Sequence, residues 1–460
     1  MSKLIEPRTL KGFRDYPPAL MIPRERVLQT AREVYRSYGY APIDTPALEY
    51  AEVLLGKGGG ENDRIVYQFK DHGDRDVALR FDLTVPFARF SAQHIPQLGT
   101  PFKRYAMGPV WRGENTSAGR YREFWQCDFD TIGTTSNAAD IEVALVIRDL
   151  FEALELPRIE IRVNNRMILN GILEAFGLSK KSVPIFRVLD KLPKIGRKSV
   201  LEEMVQIDGV STVAANNVIG FASVSGDNHN ILSEVEDIGK ATWTNTDEEH
   251  ASYSKLLLES GVRNIRELLN TAKSAGVPEG RIKIDLSIAR GLDYYTGTIY
   301  ETFLTDLPEI GSVCSGGRYD NLAGLYTNQV LPGVGASLGV DRLLAAMEKL
   351  DHTWMTGQST PAPVIVLNLD ASLLGTYQKL ARDLRAAGVG VEVYPDAKKL
   401  GPQFQYAEKR GFRLAVIVGP DEAKTGKVKV KDLRKREEVV LDADDHFVSA
   451  VRTLLPECKK

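Results

Sequence analysis

Apolar residues recur at helical spacing from Arg24 to Tyr38 and the run stops at Gly39, so the pattern predicts an amphipathic helix there. Tyr40-Ala41-Pro42-Ile43-Asp44-Thr45-Pro46 follows as an extended segment, because each proline confines its predecessor to the β region. The period then shortens to two over residues 77–81, 102–106 and 123–129, whose aromatic, alternating character predicts strands of an antiparallel sheet. A helix over residues 138–154 comes next.

From Met167 to Ala275 the pattern is helical throughout, broken by polar, glycine-containing turns. Strand signals return at residues 282–286 and 297–301, and a glycine-rich strand leads into a helix over 340–350. Beyond a linker rich in Gly, Ser, Thr and Pro, short strands (364–368, 390–394, 414–418) alternate with helices (372–387, 403–410), the signature of an α/β domain with a parallel or mixed sheet. The reading is therefore a core made of residues 1–166 and 276–350, a helical insertion at 167–275, a linker at 351–361 and a C-terminal α/β domain at 362–460.

Composition narrows the function classes. Net charge is only −2, so the chain as a whole is no basic nucleic-acid binder, although the C-terminal domain is its relatively basic part and one local patch suffices for RNA. The apolar runs are too short to span a membrane and the first residues lack a secretory signal, which predicts a cytoplasmic protein with no membrane partner. Cys127, Cys314 and Cys458 are far apart and the histidines are scattered, so neither a disulfide frame nor a dedicated metal cage is expected.

Four segments carry candidate chemistry. Trp111-Arg112-Gly113-Glu114 runs into a loop that returns through Gly119-Arg120-Tyr121-Arg122, placing forked guanidinium donors where they could surround a polyphosphate; alone, the pattern fits a solvated charged hairpin better. Arg290-Gly291-Leu292-Asp293-Tyr294-Tyr295-Thr296-Gly297 offers two tyrosines that on a strand would face opposite ways, one to pack and one to meet a ligand; a bare Tyr-Tyr is more often an aromatic pair in the core. Gly316-Gly317-Arg318-Tyr319-Asp320 reads as a turn that lets backbone approach a small molecule. Gly333-Val334-Gly335-Ala336-Ser337-Leu338-Gly339-Val340-Asp341-Arg342 lacks the spacing of a dinucleotide fingerprint and ends at an arginine on a helix.

In this order the segments resemble one family. Arg112-Gly113-Glu114 followed by a loop and Phe124 looks like motif 2 of the class II aminoacyl-tRNA synthetases, Gly333 to Arg342 like motif 3, and the helix running to Pro46 like motif 1, which builds that class's dimer interface. The segments 290–297 and 316–320 resemble the histidine signatures of the histidyl-tRNA synthetases, as do Leu79 to Arg89 and Arg120 to Asp130. The resemblance spans the chain. It implies an α+β catalytic core on an antiparallel sheet with a helical insertion and a C-terminal anticodon-binding domain, where Lys398-Lys399-Leu400-Gly401-Pro402-Gln403 stands near the anticodon. The motif 2 loop, Glu114-Asn115-Thr116-Ser117-Ala118-Gly119, departs from the form common in bacterial members and is closer to the eukaryote-like branch.

The resemblance also implies roles. Asp82, Leu83, Thr84 and Gln126 would hold the backbone end of histidine, and Asp130, Tyr294, Tyr295 and Tyr319 its imidazole. Arg112 and Arg290 would act at the α-phosphate of ATP as the catalytic cations, both also touching histidine; Glu114, Arg120 and Arg342 would complete the ATP site. ATP with Mg²⁺, histidine and tRNA(His) are the implied substrates, cofactor and partner, in a homodimer that binds no DNA. Adenylation followed by transfer needs no protein nucleophile, which fits a chain without an activated serine or cysteine arrangement.

Overall fold

The computed structural model describes residues 4–56, 65–117, 119–244, 248–289, 294–444 and 446–455. The chain divides into two compact units, one built from Val27–Leu350 with the N-terminal stretch up to Phe13, the other from Arg14–Arg26 with the chain from Asp351 onward.

In the first unit the strands in chain order are β1 (Ala41–Pro42), β2 (Leu48–Tyr50), β3 (Gln68–Lys70), β4 (Asp76–Leu79), β5 (Phe102–Trp111), β6 (Glu123–Ile132), β7 (Ile159–Asn165), β8 (Ile282–Ile284), β9 (Thr298–Leu304), β10 (Cys314–Tyr319) and β11 (Gly333–Gly339). Eight of them form one sheet in the order β1-β5-β6-β11-β10-β9-β7-β8. Its central pairs are antiparallel, and parallel pairs occur only at the margins, β1 with β5 and β7 with β8. The strand expected over residues 77–81 is not part of it. It ends at Leu79 and lies in a separate three-stranded sheet, β2-β4-β3, whose register an alternation pattern cannot reveal.

Helices α1 (Pro18–Ser37), α2 (Ala51–Leu55), α3 (Thr84–Leu98) and α4 (Asn137–Ala153) precede a helical stretch made of α5 (Arg166–Ala175), α6 (Ser182–Leu189), α7 (Leu192–Met204), α8 (Thr212–Ala222), α9 (Asn228–Trp243) and α10 (Glu248–Ser274). Asn165, Ser211 and Asp227 cap the starts of α5, α8 and α9 through their side chains, satisfying amides the helix itself leaves open. One face of the large sheet is apolar. The row Tyr105, Phe129, Ala336, Gly316, Tyr300 crosses β5, β6, β11, β10 and β9, and Tyr35 from α1 packs on Phe129 with ring centroids 4.9 Å apart. The Tyr300 hydroxyl donates to the Asp140 carbonyl on α4 at 2.7 Å, fastening that helix to the same face.

After α11 (Val340–Lys349), the second unit carries β12 (Val364–Val366), α12 (Leu374–Ala386), β13 (Val391–Val393), α13 (Leu400–Arg410), β14 (Leu414–Ile417), α14 (Pro420–Thr425), β15 (Lys427–Asp432), β16 (Glu438–Asp442) and α15 (Phe447–Leu454). Its mixed sheet runs β13-β12-β14-β15-β16, parallel in the first three strands. Alternation sorts the strand residues: Val364, Val366, Leu414 and Val416 join Tyr377 and Leu380 of α12 and Phe447 of α15, while Ile365, Leu367, Ala415 and Ile417 join Ala407 of α13.

Candidate active site

The opposite face of the large sheet is polar. Gln126, Asp128 and Asp130 alternate along β6 with Trp125, Cys127 and Phe129, so the three polar side chains share a side. Register then fixes their neighbours. Asp130 pairs with Arg104 on β5 and with Gly335 on β11; Asp128 pairs with Ala106 and Ser337; Gln126 pairs with Gly108 and Gly339. Gly335 in turn pairs with Gly317 and Gly333 with Tyr319 on β10. The doublet Gly316-Gly317 is therefore in a strand and not in the turn its composition suggests. Two glycines keep this face open: a Cβ on Gly335 would come within 2.5 Å of Asp130 Cγ, and one on Gly333 within 2.7 Å of Tyr319 Cζ.

One half of the face is a buried acidic and aromatic cluster. Asp130 accepts the Tyr319 hydroxyl at 2.6 Å and lies 2.7 Å from the guanidinium of Arg104, whose side chain is wholly buried. Asp82 closes the cluster from the segment after β4. Its Oδ1 accepts the Val85 amide at 2.9 Å in the first turn of α3, so the Asp82-Leu83-Thr84 segment is held by its own helix start. The Tyr294 hydroxyl donates to the other oxygen of Asp82 at 3.5 Å. Burial pushes Asp82 and Asp130 above the usual carboxylate range, against the pull of Arg112 and Arg104 on the first and of Arg104 on the second.

Tyr294 and Tyr295 precede β9 instead of lying on a strand, and they do not diverge. Their rings meet edge to face at 5.2 Å, Tyr294 meets Tyr319 in the same way at 5.9 Å, and all three pack with Phe81 and Val85. Arg290, Gly291, Leu292 and Asp293 lie outside the described residues.

The other half is an open cleft lined by Arg112, Glu114, Arg120, Gln126 and Arg342 among others, so these five predicted residues are brought together. Arg112 follows directly on β5 and its Nε donates to the Phe81 carbonyl at 2.9 Å. Arg104 donates to the Leu83 carbonyl at 3.0 Å. The segment carrying Asp82 is thus suspended between two guanidinium groups, one in each half of the site. Arg120 pairs with Glu114 at 2.9 Å and remains half exposed; Arg342 donates to the Ser312 carbonyl at 2.6 Å from the first turn of α11. Asp341 beside it accepts the Trp125 amide at 2.7 Å and ties that helix start to β6. Gln126 joins the halves, donating through Nε2 to Ser337 at 2.8 Å.

Beneath the cluster, Arg318 binds Asp140 through Nε at 3.0 Å, reaches Asp320 at 3.1 Å and donates to the carbonyl of Thr134 at 2.9 Å. Asp320 accepts the Thr296 hydroxyl at 2.7 Å, so the segment bearing the two tyrosines is pinned to β10. Sequence reasoning missed Arg104 and Asp128. The period-two file of polar residues in an otherwise aromatic strand was the available signal for Asp128; nothing in the sequence marks Arg104 as buried.

The family model for histidyl-tRNA synthetase matches residues 12–343, and that for an anticodon binding domain matches residues 363–453. A histidine–tRNA ligase of Rhodopirellula baltica is 55% identical over 434 residues, covering 94% of this chain and 95% of that protein. One from Wolinella succinogenes is 46% identical over 433 residues, with 94% and 95% covered. Among solved structures, a histidyl-tRNA synthetase from Nostoc superposes with a TM-score of 0.86 at 35% identity, covering 98% of this chain and 100% of that one.

Proposed function

The chain belongs to the histidyl-tRNA synthetase family, and from that premise we propose how its residues divide the work. It is an aminoacyl-tRNA ligase: histidine is activated with ATP to histidyl-adenylate and then passed to the 3′ end of tRNA(His), releasing AMP and diphosphate.

In this reading the buried acidic half takes the amino acid and the arginine-lined half takes ATP. Asp82, Thr84 and Gln126 hold the α-amino group, and Leu83 keeps that segment in place through its carbonyl. Asp130 accepts a ring N–H of the imidazole while Tyr294, Tyr295 and Tyr319 enclose the ring. A site whose buried polar groups are left short of partners by the wrong side chain rejects it strongly, and Asp130 with Tyr319 would supply those groups at the ring. Arg112 binds the α-phosphate beside the histidine carboxylate, Arg120 and Glu114 meet the distal phosphates, and Arg342 clamps the nucleotide. By the family resemblance, Arg290 would supply a second cation at the α-phosphate.

The histidine carboxylate oxygen then attacks the α-phosphorus, the bond to the diphosphate breaks, and Arg112 offsets the charge that develops on the phosphoryl oxygens. Mg²⁺ bound with ATP supplies further charge neutralisation. Glu114, which lines the cleft, would be the carboxylate placed to hold the ion together with the phosphates. The C-terminal α/β unit reads the anticodon region of tRNA with the Lys398–Gln403 segment near it, no DNA is bound, the active form is a homodimer built on the first helix, and the enzyme works in the cytoplasm. Among the described residues no helix is long and apolar enough to cross a membrane.

What carries this reading is the junction at Gln126 between a buried Asp130–Tyr319–Arg104 cluster and a cavity bearing Arg112, Arg120 and Arg342. ATP–diphosphate exchange with each of the twenty amino acids tests it, with Arg112→Ala and Arg290→Ala as controls. Exchange with histidine alone, lost in both variants, is expected. Exchange undiminished in Arg112→Ala would show that the cavity assigned to ATP is not where adenylation occurs.

A further inference from the structure

Asp128 has no task in the division of work above, yet it stands between two residues that do. It is 2% exposed, faces the same side of β6 as Gln126 and Asp130, and is opposite Ser337 on β11, which hydrogen-bonds its carboxylate. Its Oδ1 has no hydrogen-bond partner among the described residues. Polar atoms buried without a partner are rare in folded proteins, and at a ligand site the missing partner is commonly the ligand.

Charge points the same way. Asp82, Asp128 and Asp130 face this subsite, all buried. The groups acting on Asp128 are Arg104 on β5, Asp130 on its own strand, Ser337 on β11 and Asp82 across the cluster. Arg104 is already engaged with Asp130 at 2.7 Å. Three buried carboxylates share Arg104, with Arg112 also acting on Asp82, so carboxylates outnumber guanidinium groups and a cationic ligand group is favoured here. Burial, with Asp130 and Asp82 adding to it, lifts Asp128 to about 7 against the pull of Arg104.

Spacing selects the ligand group. Two residues along a strand advance about 6.8 Å, comparable to the reach from the α-nitrogen of histidine to its far ring nitrogen, Nε2. With Asp130 at the ring, Asp128 lies one step nearer Gln126, level with the α-nitrogen. Thr84 and Gln126, the other groups assigned to the ammonium, are uncharged, and Asp82 has committed one oxygen to the Val85 amide, so a second carboxylate beside it has a use.

We propose that Asp128 is a further specificity-determining residue of the amino-acid subsite, its free oxygen accepting a hydrogen bond from the α-ammonium group of the bound histidine. This rests on the subsite assignment above. A ligand with the imidazole but no ammonium would leave the carboxylate buried and unanswered, so the residue helps the site demand an amino acid and not merely a ring.

The test is equilibrium binding of three ligands: histidine, histidinol, which keeps ammonium and ring, and imidazolepropionate, which keeps ring and carboxylate. Asp128→Asn removes the charge at nearly constant shape. It should weaken histidine and histidinol by roughly 10- to 100-fold, the value of one hydrogen bond to a charged group, while imidazolepropionate binds as well as before or better. Equal weakening of imidazolepropionate, or no weakening of histidine, overturns the proposal. ATP binding reports on the fold; if the Asn variant has lost it, Asp128→Ser carries the same three-ligand comparison. Asp130→Asn separates this failure from failure of the subsite assignment. Imidazolepropionate binding unchanged in Asp130→Asn sinks the assignment itself, whereas weakened binding there together with an indifferent Asp128 variant sinks only the proposal.

Discussion

A single methyl group at Gly335 should damage histidine binding while sparing ATP. The glycine sits between Asp130 on β6 and Gly317 on β10, and a Cβ there would lie 2.5 Å from Asp130 Cγ and closer still to the Phe129 carbonyl oxygen. Comfortable non-bonded contacts begin near 3.5 Å, so about 1 Å of room is missing. The Phe129 carbonyl is backbone in a central antiparallel pair and yields little. Asp130 can turn aside only by loosening its bond to the Tyr319 hydroxyl or its pairing with Arg104. Overpacking of this kind costs about 1–3 kcal/mol, and a compromised hydrogen bond to a carboxylate about 1.5–3 kcal/mol. If Asp130 gives way, the loss appears in the amino-acid subsite, and at 1.4 kcal/mol per decade the histidine KM in Gly335→Ala should rise roughly 10- to 100-fold. Diphosphate exchange measured against histidine and against ATP separates the two subsites. A histidine KM within about twofold of wild type, or an ATP KM that rises by the same factor, would refute the claim that Gly335 exists to leave room for Asp130.

Four further outcomes follow from the same geometry. Arg104→Met strips the buried carboxylates of their cation and should lower stability by about 3–5 kcal/mol, read as a fall in the urea midpoint; a change under about 1 kcal/mol would mean the carboxylates are already neutral. Asp128, lifted to about 7 in the fold against about 3.9 when unfolded, binds more protons in the native state across that window. Stability therefore falls as pH rises from about 4 to 7, by at most ~4 kcal/mol, and Asp128→Asn should gain on wild type over the same range; a stability difference independent of pH between 5 and 8 contradicts this. Arg120 is half exposed, so Arg120→Ala should raise the ATP KM and leave both the thermal midpoint and the histidine KM in place, a pattern that steady-state exchange and a melting curve check together. Arg290→Ala should slow adenylate formation by orders of magnitude with a smaller effect on histidine binding; equal losses in rate and affinity would assign it a ground-state role.

Local pattern was enough to find the long strands and the helices at both sides of the insertion, and it singled out Arg112, Arg120 and Arg342, which line one cleft, because each depends on residues a few positions apart. What depended on register was not legible. The strand at 76–79 alternates like its neighbours, but nothing in alternation says that it pairs with β2 and β3. Gly316-Gly317 has the composition of a turn and is held in a strand by β9 and β11 on its two sides. The tyrosines at 294 and 295 were expected to part company on a strand; they fall short of it, and tertiary packing against Tyr319 turns both into one cluster. Arg104 reads as an ordinary surface cation until the sheet places it over the Phe87 ring with Asp130 beside it.

The pairing of β6 with β11 has a consequence for the making of the protein. Ile132 must wait for Gly333, roughly 200 residues later in synthesis, and a ribosome needs on the order of 10–40 s to cover that interval. Until then the β5–β6 hairpin emerges with one long edge unpaired, the kind of surface on which nascent chains stick to one another. Asp128 and Asp130 lie along that edge strand, and inward-pointing charges are among the devices that keep bare edges apart. Asp128 and Asp130 would thus guard the newborn chain against aggregation before there is any active site for them to serve.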